Sequence, residues 1–422
     1  MPLGIYISVP FCRTKCSFCN FASGVTSRAV YARYVDRVCE DVAAARATAS
    51  QTSGRFEQSI DSIYLGGGTP TVLSPAELER MFTTVRAHFQ LAADAEITAE
   101  CAPGTLTSEM LESLLRCGVN RVSLGVQSFV DKESASVGRL HTRAIVLDDI
   151  ARLRAAGIEN VSIDLIAGLP HQTAESWRYS LEETIAIGVP HASVYILEVD
   201  EDSRLGKELI AGGTRYHAHH VPDDDATADF YAQACETLES AGIHQYEISN
   251  FAREAHGSNS NLNGSYPDPE RSAGLDSSHG PGLPRYHSLH NLKYWTRQPY
   301  LGFGVDAHSM LPSIDPEFDA IRIATPDTLE AYMANNPPVI TRITPDEAAE
   351  EACFLGLRLN RGVRFDDNTK ISTLIDSSVL TELQQTGLLE RNGGWLRLTP
   401  RGRLLSNEVF EQFIRTQAQP TQ

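Results

Sequence analysis

Between residues 60 and 250 short apolar runs alternate with helical patterns, and this rhythm limits the chain to a helix-covered parallel sheet. The runs are SIYLG (62–66), EITAE (96–100), RVSLGV (121–126), NVSIDLI (160–166), ASVYIL (192–197) and YEIS (246–249), with IYISV (5–9) ahead of them. LERMFTTVRAHF, MLESLLRC and AIVLDDIARLRAA lie between. Ser74-Pro75-Ala76-Glu77 reads as a capping box with proline at the first helical position. Gly118, Gly157, Gly188 and Gly242 each end a helical pattern just before the next strand. Strands that are apolar at nearly every position imply a parallel sheet buried under helices. About six of them predict an α/β fold of the partial (β/α) barrel kind, with chemistry at the C-terminal strand ends.

Two stretches interrupt this rhythm. Residues 255–286 are rich in Ser, Gly, Pro and Asn with almost nothing to bury, and read as a disordered or mobile insertion. From Thr344-Pro345-Asp346-Glu347, a second capping box, a different pattern begins: an amphipathic helix, a helix through VLTELQQTGLLER ending at Gly387, a hairpin at Asn392-Gly393-Gly394 and a final helix LLSNEVFEQFI. This outline is winged-helix-like. The expected division is a barrel over 1–335, a C-terminal helical winged-helix-like domain over 340–415 and a tail over 416–422.

The net charge of −18 opposes a nucleic-acid partner, since phosphate binding needs a basic face. It also favours a structural or lid role for the winged-helix-like part. No apolar run is long enough for a membrane span, and the N-terminus has no signal-peptide pattern, so a cytoplasmic location is expected. Eight cysteines in 422 residues are too sparse for a disulfide scaffold. Cys39, Cys101, Cys117, Cys235 and Cys353 stand singly and read as buried thiols.

The other three are clustered. PFCRTKCSFCNF places Cys12, Cys16 and Cys19 at C-x3-C-x2-C spacing directly after a strand. Thiolates are soft ligands for zinc or iron–sulfur clusters. Structural zinc wants a fourth ligand, and none lies nearby in sequence. Three cysteines on a four-iron cube leave one iron open. Gly66-Gly67-Gly68-Thr69-Pro70-Thr71 follows a strand and lets backbone approach a ligand closely, although tight strand-to-helix turns also use glycine.

The C-x3-C-x-aromatic-C segment resembles the signature of the radical S-adenosylmethionine (SAM) superfamily. That resemblance implies a [4Fe–4S] cluster on Cys12, Cys16 and Cys19, with SAM chelating the open iron and, on reductive cleavage, yielding a 5′-deoxyadenosyl radical. It places Phe18 against adenine, although alone Phe18 reads equally as a packing residue. GGGTPT is similar to the segment that holds the SAM amino group, through Gly67, Gly68 and Thr69. ECAP, RVSLGVQSF, GRLH and SIDLIAGLP resemble, in order, segments of the oxygen-independent coproporphyrinogen III dehydrogenase-like branch, which implies SAM contacts from Glu100, Gln127, Arg139 and Asp164. Carboxylates and an amide suit ribose hydroxyls and the methionine moiety, and Arg139 suits a carboxylate. Tyr6 matches a further cofactor position. Ser8 stands where the family usually has histidine.

Within that branch two readings compete: the dehydrogenase of porphyrin biosynthesis, a radical decarboxylase, and the HemW haem chaperones. Only eleven residues precede Cys12, whereas the dehydrogenase carries a long leading segment. Phe21 stands where the dehydrogenase has another cysteine. His290-Asn291-Leu292-Lys293-Tyr294-Trp295 resembles the H-N-x-x-Y-W segment associated with haem binding in the chaperones. These features favour the chaperone, with haem as a third cofactor held by His290, Asn291, Tyr294 and Trp295, and no catalytic residue assigned. The implied partners are haem-accepting proteins, membrane-bound ones included, and a homodimer is compatible. Imidazole is the commonest haem ligand, but His, Asn, Tyr and Trp together also suit a buried hydrogen-bonded cluster. His308, in GFGVDAHSM, competes as a ligand or is structural. His256, His279, His287 and the run His217-Ala218-His219-His220 read as surface residues.

Overall fold

The computed structural model describes residues 1–254, 285–366 and 369–414, and the greater part of the 255–286 insertion therefore lies outside the described residues. Twelve strands form one sheet: β1 (Leu3–Val9), β2 (Ser59–Gly67), β3 (Gln90–Cys101), β4 (Arg121–Gln127), β5 (Asn160–Ala167), β6 (His191–Ile196), β7 (Ile243–Gln245), β8 (Asn250–Arg253), β9 (Tyr300–Phe303), β10 (His308–Pro312), β11 (Ala320–Ala324) and β12 (Val339–Ile343). Their order is β12-β11-β10-β9-β1-β2-β3-β4-β5-β6-β8-β7. Strands β1 to β6 are adjacent and parallel, as expected for a partial (β/α) barrel. On one side β9 adds in parallel to β1, and β10 to β12 extend the sheet antiparallel.

Helix starts follow the local chemistry. Ser74 and Glu77 form a reciprocal capping box before the helix Pro75–His88, and Thr344 and Glu347 form another before Pro345–Leu357. Gly188 closes the helix Ala174–Ile187 at φ 71°, a left-handed conformation in which a Cβ would be strained.

The two faces of the parallel strands differ, which alternation alone did not reveal. Leu3, Ile5, Ile7 and Val9 are fully buried in a core shared with Tyr34, Val35, Val38 and Val42 of the helix Ala29–Gln51. The intervening residues Gly4, Tyr6 and Ser8 face the other way. Register carries polar groups across that inner face: Gly4 pairs with Ser62, Ser62 with Glu96, Glu100 with Ser123, and Asp164 with Ser193. The barrel interior is therefore a polar-lined cleft beside a dry helix–sheet core.

One expected strand is absent. YEIS (246–249) is a turn between β7 and β8, and β8 runs antiparallel to β6. Within this turn the fully buried Glu247 accepts through Oε1 from the Ser249 N–H at 3.1 Å and from the Asn250 amide. The turn gives one carboxylate oxygen these two partners, while Oε2 is buried with no hydrogen-bond partner among the described residues.

A second core gathers Cys353, Leu357, Val363, Leu383, Leu389, Leu396, Leu398 and Val409. It packs under a three-stranded sheet of β13 (Val363–Arg364), β14 (Leu389–Asn392) and β15 (Trp395–Leu398), in the order β13-β15-β14, with the β14–β15 hairpin turning at Gly393-Gly394. The expected final helix is two short ones, Pro400–Leu404 and Ser406–Glu411. Arg297 and Arg322 both pair with Glu351, joining this core to the large sheet.

Candidate cofactor site

The loop after β1 carries the three clustered thiols. Phe11 bridges Gly24, and the Cys12 N–H donates to the Gly24 carbonyl at 3.0 Å, which turns the loop back on itself. Lys15 Nζ donates to the Phe21 and Ser23 carbonyls, and the Ser17 N–H donates to Val137 O. Cys12, Cys16 and Cys19 are free and half-buried. Burial pushes the Cys12 and Cys16 thiols up, and each feels the Arg139 cation as well as the neighbouring thiols. Among the described residues no three His, Cys, Asp or Glu side chains stand close enough to hold a single metal ion.

The glycine turn closes over this loop. The Gly68 N–H donates to Val9 O and the Thr69 N–H to Phe11 O, both at 2.8 Å, while the Thr69 hydroxyl donates to Cys12 Sγ at 3.7 Å. A Cβ on Gly68 would lie 2.8 Å from the Val9 and Phe11 carbonyls and 3.0 Å from Cys12 Sγ, so only glycine permits the approach. Gly67, at φ 102°, sits over Ser8.

The strand-end polar residues converge beside it. Tyr64 donates to Glu100 Oε1 at 2.9 Å, and Ser123 donates to both Asp164 carboxylate oxygens. Gln127 ends β4 at φ 68°, past a register shift between Gly125 and Gln127. Left-handed backbone in a residue other than glycine costs of order 1 kcal/mol and clusters at functional sites. The guanidinium of Arg139 lies against Gly125, where a Cβ would stand 2.5 Å from Nη2. Arg139 Nε is buried with no hydrogen-bond partner among the described residues, an orphaned donor beside the thiols. Phe18 packs against Val137, Ile166, Leu169 and Leu197 at the end of β5.

Burial pushes Glu100 up to about 7; the Asp164 carboxylate adds to this, while the Tyr64 hydroxyl, Gly67 N–H and Arg139 oppose it. The folded chain thus holds a proton on Glu100 that the unfolded chain releases near pH 4.5. Stability from this group is full below that value and is lost as pH rises through about 7. Glu100→Gln in the cofactor-free protein should therefore unfold at higher urea than the parent at pH 8, by about 3 kcal/mol, and equally at pH 4. Equal urea midpoints at both pH values would contradict this environment.

A cavity of about 510 Å³ opens next to these groups. Tyr6, Ser8, Gly67 and Glu100 line it together with Phe21, Ala22, Tyr64, Tyr195, His290, Asn291, Tyr294, Tyr300, Asp306 and His308. Of the expected SAM positions, Tyr6, Gly67 and Glu100 line this cavity together with His290, Asn291 and Tyr294, whereas Phe18, Gly68, Thr69, Gln127, Arg139 and Asp164 are not among its lining residues. Gly125, Tyr64, Tyr195 and Tyr300 were not anticipated; the only sequence signal was their place at or near strand ends.

Of the expected haem residues, His290 lines the cavity but has both ring nitrogens engaged, and Trp295 lies outside it. His290 is fully buried, with Nδ1 3.0 Å from Ser62 Oγ and Nε2 2.9 Å from the Tyr294 hydroxyl, so both ring nitrogens are occupied. Burial and Lys293 depress it to about 3, leaving a neutral imidazole. Trp295 does not line the cavity: the Arg358 guanidinium covers its ring at 4.3 Å, at the junction with the second core. His287, expected at the surface, is buried and stacked on Tyr246 at 3.8 Å. His217 and His220 cluster with His171, whose Nε2 lies 3.3 Å from His217 Nδ1. His256 and His279 lie outside the described residues.

Comparison with known proteins adds the lineage. Residues 6–183 match the radical SAM superfamily model, and 343–405 match the HemN C-terminal domain. The chain is 30% identical to the heme chaperone HemW of Lactococcus lactis, over 98% of this chain and 97% of that one. It is 32% identical to HemW of Escherichia coli, over 98% of each chain. The chain belongs to the HemW family of radical SAM proteins. Its fold is also that of the Escherichia coli coproporphyrinogen III oxidase HemN, with a TM-score of 0.76 and 23% identity over 98% of this chain and 90% of that one. Among the described residues no helix is long and apolar enough to cross a membrane.

Proposed function

We propose that the chain is a haem chaperone that binds haem and passes it to acceptor proteins, while carrying a [4Fe–4S] cluster and SAM. The observation that carries this reading is the single cavity shared by the expected SAM positions Tyr6, Gly67 and Glu100 and the aromatic segment Asn291–Tyr294, in a chain of HemW ancestry. Cys12, Cys16 and Cys19 suit a multi-iron body, whose thiolates stand further apart than the ligands of one ion. The Gly68 cradle and the orphaned Arg139 Nε fit an anionic group beside it. In this reading Gly67, Gly68 and Thr69 accept the SAM amino group, Arg139 pairs with its carboxylate, and Glu100, Gln127 and Asp164 hold the remaining polar groups. Phe18 offers an apolar face to adenine, and Phe21, Tyr195, Tyr294 and Tyr300 offer apolar walls to a macrocycle. A bound cluster would supply an electron and a Lewis-acidic iron. The chain's own residues orient the ligand and exclude water.

The test is to reconstitute the protein anaerobically and offer haem and coproporphyrinogen III separately. Haem uptake at one per chain, with transfer to an apo-acceptor and no decarboxylation, is the expected result. Decarboxylation with 5′-deoxyadenosine release would replace the chaperone by the dehydrogenase. Acceptors in soluble and membrane-bound form, and gel filtration for a homodimer, extend the same experiment; the cytoplasm is the compartment this reading requires.

A further inference from the structure

The cavity holds two histidines, and their situations are opposite. His290 has Ser62 on one nitrogen and Tyr294 on the other, with no solvent exposure. An iron ligand needs a free lone pair on an exposed nitrogen, and freeing one here would break a buried hydrogen bond. His308 lines the same cavity with its side chain 63% exposed. Its Nε2 stands 3.9 Å from Asp306 Oδ1, beyond hydrogen-bond reach, and neither ring nitrogen makes a hydrogen bond among the described residues.

The backbone that presents His308 is firmly held. His308 opens β10, paired with Ala324. The turn before it is tied by Thr325, whose hydroxyl donates to Gly304 O at 2.6 Å and accepts from the Ala307 N–H at 2.8 Å. The Asp306 N–H donates to Pro326 O, and the Thr325 N–H to Ala307 O. Gly302 lets the His308 backbone pass where any Cβ would collide with it. An exposed imidazole at a firmly held strand end, in a cavity lined by Tyr6, Tyr64, Tyr195, Tyr294 and Tyr300 as well as the Glu100 and Asp306 carboxylates, is an arrangement suited to an axial ligand.

We propose that His308, rather than His290, binds the haem iron in this cavity, and that His290 holds the cavity wall by fixing Tyr294. This assignment rests on the chaperone reading. Because His308 is exposed at the start of a strand, its replacement leaves the fold intact, which circular dichroism and the cluster absorption verify.

The experiment titrates hemin into the cluster-loaded full chain, His308→Ala and His290→Ala, followed by visible absorption, electron paramagnetic resonance and resonance Raman. The parent and His290→Ala should show an imidazole-ligated iron. His308→Ala should lose that signature and bind hemin about tenfold more weakly or worse, and added imidazole should restore the signature. An unchanged imidazole signature and affinity in His308→Ala overturns the assignment, as does loss of the signature in His290→Ala with the fold intact. A parent chain that takes up no hemin overturns the chaperone reading itself, and this assignment with it.

Discussion

Anaerobic reconstitution of Cys12→Ala, Cys16→Ala or Cys19→Ala should yield protein without the visible absorption of an iron–sulfur cluster and with iron and sulfide near background. The reason is arithmetic: in the proposed reading three thiolates hold the cube, no other cysteine lies in the motif loop, and Cys39 and Cys101 are buried elsewhere in the helix–sheet core. Removing one ligand exposes a second iron to water and leaves a cluster held at two corners. The fold should survive, since the three residues are half-buried and the loop is pinned by backbone bonds to Gly24 and Val137. The measurement is iron and sulfide per chain beside far-ultraviolet circular dichroism. A complete four-iron cluster in all three variants would refute the assignment.

The second large effect falls on stability. Trp177→Ala should destabilise the chain by about 3–5 kcal/mol, the range for an aromatic removed from a packed core. Trp177 has no solvent exposure, and its indole N–H donates to Phe230 O at 2.7 Å, locking the helix Ala174–Ile187 against Asp224–Ser240. These helices cover β5 and β6, which carry Asp164 and Tyr195. Trp177→Phe keeps most of the volume but leaves the hydrogen bond unmade, so its cost should be well under half that of alanine. Urea unfolding measures both. Equal midpoints for the two variants would show that the indole hydrogen bond, not cavity formation, sets the cost.

The sequence alone determined whatever depends on neighbours in the chain. C-x3-C-x2-C declares soft ligands at adjacent turns, Ser74–Glu77 and Thr344–Glu347 close capping boxes within four residues, and the strand rhythm forces parallel pairing under helices. Period-two and period-three-to-four patterns are local, so they survive in a single chain read end to end. Glu100, Gln127 and Asp164 could be placed at or near successive strand ends because a barrel delivers those ends to one rim, while their use toward SAM, and that of Arg139, is what the family resemblance implies.

The tertiary structure decided what depends on partners far along the chain. That the inner face of β1 to β6 is polar follows from register across strands dozens of residues apart, which no single strand displays. Gly125 owes its role to Arg139 lying against it, and YEIS turns around the buried Glu247. His290 is settled by Ser62, 228 residues away, and by Tyr294 one helical turn on. A histidine's chemistry is set by whether its nitrogens are already spoken for, and that is a property of its surroundings rather than of its motif. His308, a competing ligand or a structural residue on its sequence alone, is an exposed imidazole of the cavity in the folded chain. The cysteines name the cofactor class, and the folded cleft decides which side chains remain free to meet it.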